Sequence, residues 1–318
     1  QIIKYTFLLY LVTQVLLSAL RSVETVRIAF LISCVSLVVN VSINYTLIYG
    51  RFGFPELGIQ GAAIGTMISR CLEFFIVFIY VIKTDKKLKL FSDKAVFHID
   101  KLLRSDYIKV AVPVFVSGML WAISVPMQTA ILGHLSSDAI AANSVASTFY
   151  QYMKVVVLAM SSASSVMMGK AVGKGNLDEV KAAARTLSVL DVGVGIILGA
   201  ILYFTKDFLL AQYTLSPTAA QLAEQLIIIM AVVMVGMAYQ MPVGSGIIRG
   251  AGDAKFSLYV NISTWGIVLP LSLAAAFWWK WPIPAVVICL QSDQIFKGLP
   301  IFLRFRSYKW IHKLTRDK

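Results

Sequence analysis

Charge is the scarcest commodity in this 318-residue chain: Asp, Glu, Lys and Arg make up 14% of it, against about 25% in an ordinary soluble domain. With 58% hydrophobic residues and a mean hydropathy of +0.77, that scarcity excludes a soluble enzyme and a disordered chain alike. Cysteine is nearly absent. Cys34, Cys71 and Cys289 lie in separate apolar runs, which suits neither a disulfide framework nor a tetrahedral metal site. Histidine is equally sparse, and His98, His134 and His312 fall in three different loops with no Cys or carboxylate cluster beside them. A membrane-embedded transferase would need such a cluster for its nucleophile, base or metal. The strict polar–apolar alternation of a transmembrane β-strand is missing too.

What the chain does have is long uncharged runs. Nine of them predict membrane-crossing helices over residues 5–20, 28–50, 58–82, 110–133, 139–169, 186–205, 226–248, 256–279 and 282–303, an all-α integral membrane protein. The formal net charge of +13 sits between these spans, so a basic total does not imply a nucleic-acid partner. The connections after the first, third, fifth and seventh spans, with the C-terminal tail, hold 22 of the 29 Lys and Arg residues. The opposite loops hold Arg51, Lys206 and Lys280. Basic residues stay on the cytoplasmic side, which predicts a multi-pass plasma-membrane protein with a cytoplasmic C-terminus.

An internal repeat sets the organisation. Leu20-Arg21, a polar loop and Arg27 opening an apolar run return 228 residues later as Ile248-Arg249, Gly250-Ala251-Gly252-Asp253 and Lys255, each before the last two spans of its half. The expected domains are residues 1–83 (three helices of an N-terminal lobe), a cytoplasmic connection at 84–105, a six-helix C-terminal lobe at 106–306 and a basic tail at 307–318. By this symmetry three more helices, on the order of 100 residues, are expected to precede Gln1.

Ionisable groups inside spans are the default functional candidates, because each is costly in hydrocarbon. Here they are Arg70, Glu73, Lys154, Asp191, Asp293 and Lys297. Arg70 with Glu73 and Asp293 with Lys297 share a helix face. The first pair reads as a structural ion pair; the second as a structural pair or an ion-coupling carboxylate with a tethered competing cation, with Asp191 next in line. Trp121, Gln128, Tyr150, Gln151, Tyr239 and Gln240, with Met119, Met127 and Met160, form an apolar, aromatic, amide-bearing set suited to bulky organic cations. Trp278, Trp279 and Trp281 suit an interfacial belt. Gly58-Ile-Gln-Gly-Ala-Ala-Ile-Gly65 strips bulk from one helix edge for close packing. Gly169-Lys-Ala-Val-Gly-Lys-Gly-Asn176 lacks Walker spacing and reads as a helix C-cap and turn, with Asn176-Leu-Asp-Glu179 starting the next helix. Pro113, Pro126, Pro242, Pro270 and Pro300 are expected mostly to face protein or a cavity.

Several segments, in order and spacing, resemble the multidrug and toxic compound extrusion (MATE) transporters: ALRSVETVR, VVNVSINYTLIYGRFGFPELGIQGAAIGTMISR, GHLSSDAIAANSVA, VMMGKAVGKGNLDEVKAAAR, GIIRGAGDAK and RFRSYKW. The resemblance covers essentially the whole chain, entering at the family's fourth helix. It implies a two-bundle fold of six plus six helices, a monomer in a bilayer of the bacterial inner-membrane type, and no cofactor. The implied activity is H+- or Na+-coupled antiport of small organic compounds by alternating access. A lipid-linked precursor flippase of the same superfamily is the alternative, and it would want a basic cavity. The family's N-lobe cation site falls on Asn40 and Asn44, where the second position is an amide instead of an acid. Its acid after a helix-7 proline has no counterpart after Pro113. Both departures direct attention to Asp191 and Asp293.

Overall fold

The computed structural model describes residues 3–23, 25–83 and 101–311. Among them the regular structure is helical: α1 (Ile3–Ser22), α2 (Val26–Ile48), α3 (Gly58–Lys83), α4 (Lys101–Leu135), α5 (Ser137–Lys174), α6 (Leu177–Leu210), α7 (Pro217–Met241), α8 (Ala254–Leu273), α9 (Ile283–Gln291), α10 (Asp293–Phe296) and α11 (Gly298–Ser307). Eight helical stretches of the described residues are long and apolar enough to cross a membrane, and α1 contributes a shorter apolar helix at Thr6–Ser22. Several helices outrun the expected spans: α4, α6 and α7 each begin about nine residues early. The added turns carry charge, which ends a hydrophobic run without ending a helix.

The chain divides into two compact units, residues 1–103 and 104–318. Residues 84–100 of the expected connection, and 312–318 of the expected tail, lie outside the described residues. In the first unit, α3 packs on both α1 and α2. A Cβ on Gly61 would stand 2.7 Å from the Leu47 carbonyl, so the glycine-rich edge brings α2 and α3 together as its composition suggests.

The second unit is built around α7, whose Ala223, Leu226, Ile227, Met230 and Met234 are wholly shielded or nearly so. α5, α6 and α9 pack against it. Between α5 and α6, Gly175 takes a left-handed φ of 80° and Asn176 caps the next helix by accepting from the Asp178 and Glu179 amides. Where Pro242 withholds its amide, α7 loosens into a π-helical stretch over Pro242–Ile248, and α8 does the same over Ala274–Trp278. Pro113 and Pro242 are buried and Pro300 half-buried, as expected of most; Pro126 and Pro270 are exposed. The ninth span runs as one helical path over Ile283–Ser307, in which α9, α10 and α11 follow one another through Ser292 and Lys297 with right-handed helical backbone at both. Trp310, fully buried, stacks on Phe305 and donates Nε1–H to its carbonyl at 2.9 Å, which docks the start of the C-terminal segment.

Candidate functional site

Within the second unit, α4 meets its neighbours through the Met127–Leu135 end, where Ile131 and Leu132 are buried. Its middle stands off, and that leaves a cavity of about 220 Å³. Helical periodicity supplies the walls: Ser117, Trp121, Ser124 and Gln128 from α4; Ser147, Tyr150, Gln151 and Lys154 from α5; Asn261, Thr264, Trp265 and Val268 from α8. The ninth span closes the floor with Gln291, Asp293, Gln294 and Lys297.

The floor is a polar relay. Lys297 Nζ donates to Asp293 Oδ2 at 3.0 Å, and Gln294 Nε2 reaches both Asp293 oxygens at 2.8 and 2.9 Å. Gln240 Nε2 on α7 then donates to Gln294 Oε1 at 2.7 Å, so α7 and α10 are joined through side-chain amides. Lys154 reaches across to place Nζ 4.9 Å from the Trp121 ring centroid. Tyr150 OH donates to Met237 Sδ at 2.9 Å. Two donors in the cavity wall, Ser117 Oγ and Trp265 Nε1, are buried without a hydrogen-bond partner.

Seven residues singled out in the sequence thus meet at one cavity: Trp121, Gln128, Tyr150, Gln151, Lys154, Asp293 and Lys297. Gln240 joins them from behind through Gln294. Tyr239 and Asp191 do not line it. Asp191 lies on the α6 face that carries Gly195 and Gly199, where α6 and α7 nearly touch: a Cβ on Gly199 would stand 2.6 Å from the Ala231 carbonyl oxygen. In that seam Asp191 is 0% exposed and neither carboxylate oxygen has a partner; the Tyr239 hydroxyl is likewise buried and unpartnered. In the first unit, Asn44 Nδ2 donates to Asn40 Oδ1 at 3.1 Å, and Arg70 pairs with buried Glu73 at 2.7 Å while covering the Tyr10 ring. The residues missed in the sequence are Gln291, Gln294, Asn261, Ser117 and Trp265. The two glutamines are amides in an apolar span beside Asp293, with no spacing that sets them apart. No group of three or more His, Cys, Asp and Glu among the described residues could hold a metal.

Long apolar helices around a polar cavity define an all-α membrane protein with an internal site. Residues 113–274 match the MatE family, about half of the chain, and the chain belongs to that family. It is 27% identical over 280 residues to the uncharacterized transporter YisQ of Bacillus subtilis, covering 87% of this chain and 60% of that protein. To a probable multidrug resistance protein NorM of Xylella fastidiosa (strain Temecula1) it is 27% identical over 276 residues, covering 85% and 58%. The chain therefore spans about three-fifths of the length of these relatives. The crystal structure of the eukaryotic MATE transporter AtDTX14 superposes with a TM-score of 0.83 at 16% identity, over 97% of this chain and 68% of that one, which establishes a shared fold.

Proposed function

We propose that the protein is a multidrug efflux transporter, a secondary antiporter without a cofactor, in which small organic compounds occupy the α4–α5–α8 cavity and alternate between the two membrane faces. The observation that carries this reading is the cavity itself: aromatic and aliphatic walls over a relay of amides and charges, placed among helices that belong to the MatE family. The names of the NorM relatives support the substrate class. A lipid-linked precursor flippase would need a strongly basic cavity, and here one of the two lysines is already held by Asp293.

The coupling ion is assigned to Asp191. Asp293 is occupied by Lys297 and by the Gln294 amide, and it serves to fix that lysine in the floor. An ionised carboxylate with neither water nor a partner is costly, so Asp191 is where a proton is taken up while α6 and α7 are in contact and given up as they part. In proteoliposomes, an imposed pH gradient should drive export of fluorescent organic compounds, and Asp191→Asn should abolish the gradient-driven part. Undiminished transport by that variant would remove Asp191 from the role, and the absence of any H+- or Na+-driven movement in the unaltered protein would overturn the transport reading.

A further inference from the structure

The amides and hydroxyls of the cavity wall can both donate and accept, so its sign is set by its charged groups. Asp293 is the one carboxylate among the lining residues, and both its oxygens are engaged by Lys297 and Gln294. A cationic ligand entering here meets no open acceptor of negative charge. Two ammonium groups against one carboxylate leave one positive charge in excess, and it rests on Lys154, whose ammonium has an indole face beside it and no ion pair among the described residues. Ser117 Oγ and Trp265 Nε1 add two buried hydrogen-bonding groups without partners, and an indole N–H can only donate. Trp121 and Trp265 supply flat apolar surface beside these donors.

We propose that this cavity selects aromatic compounds carrying a carboxylate, with the carboxylate on Lys154 and the ring held between the tryptophan-lined walls. This reverses the organic-cation preference that the aromatic composition alone suggests. It rests on the cavity's being the substrate site, but not on which ion drives transport.

The experiment uses three probes of one shape on the purified protein in detergent: 2-naphthoate, neutral 2-naphthamide and the cation (2-naphthyl)methylammonium, titrated by calorimetry. The expected order is naphthoate first, by at least about tenfold over the amide, as a charge-assisted hydrogen bond gives, with the ammonium weakest. Lys154→Gln should erase the advantage of the acid over the amide while leaving amide binding unchanged, and Lys154→Arg should keep it. A general loss of folding would instead lower acid and amide together, and the arginine variant then decides. Tighter binding of the ammonium, no binding of the naphthoate, or an acid preference that survives Lys154→Gln overturns the proposal. Acid preference without ion-driven transport would sink the efflux reading and leave this one standing; efflux with a cation preference would do the reverse.

Discussion

Asp293 and Asp191 are both aspartates inside apolar helices, and only their surroundings separate them. The i, i+4 spacing makes the Asp293–Lys297 pair legible from sequence, since it puts both groups on one helix face. Removing one partner of this half-buried pair strands the other, so Asp293→Asn should destabilise the protein by about 1–3 kcal/mol, whereas Asp293→Leu with Lys297→Leu should restore most of it. Thermal unfolding in detergent distinguishes the two, and equal losses would show that the pair is not a unit. Gln294 was harder to read. An amide next to an aspartate has no spacing signature, and its role follows from the placing of Gln240 opposite it on α7. The isolation of Asp191 lies beyond sequence altogether, because it depends on what α7 places opposite it.

Helices were the most legible elements, for a hydrophobic run of twenty residues has few other uses in a membrane protein. Their ends were not: charged turns of α4, α6 and α7 remain helical outside the apolar zone. Nor were the π-helical stretches, since proline announces a disturbance but not its form. Gly246 lies in one of these stretches, where a Cβ would stand 2.7 Å from the Ser161 carbonyl oxygen of α5. Gly118 on α4 has open space around the same position. Gly246→Ala should therefore cost about 1–3 kcal/mol through overpacking, and Gly118→Ala should be neutral or stabilising by up to about 1 kcal/mol. Thermal melts of the two single variants check this contrast; matching melting points would show that α5 gives way freely. At the far end, Trp310→Ala should cost about 3–5 kcal/mol by opening a cavity beneath Phe305.

For the molecule as a whole, the 22-to-3 distribution of basic residues predicts its orientation. Single cysteines at Phe54 and Ser136 should react with an impermeant thiol reagent added outside intact cells, and one at Asn176 should react only after permeabilisation. The opposite pattern would invert the topology. The charge of the cavity, unlike the orientation, was not legible: Lys154, Asp293 and Lys297 are visible in the sequence, but their sum matters only once two segments have brought them to one place. The Lys154–Trp121 contact also has an optical side. An ammonium 4.9 Å from an indole centroid perturbs the excited state of that ring, so any ligand that draws the lysine aside changes the emission of Trp121. The protein thereby carries a built-in fluorophore at its cavity, and with the other five tryptophans replaced by phenylalanine, that emission would report occupancy without any attached dye.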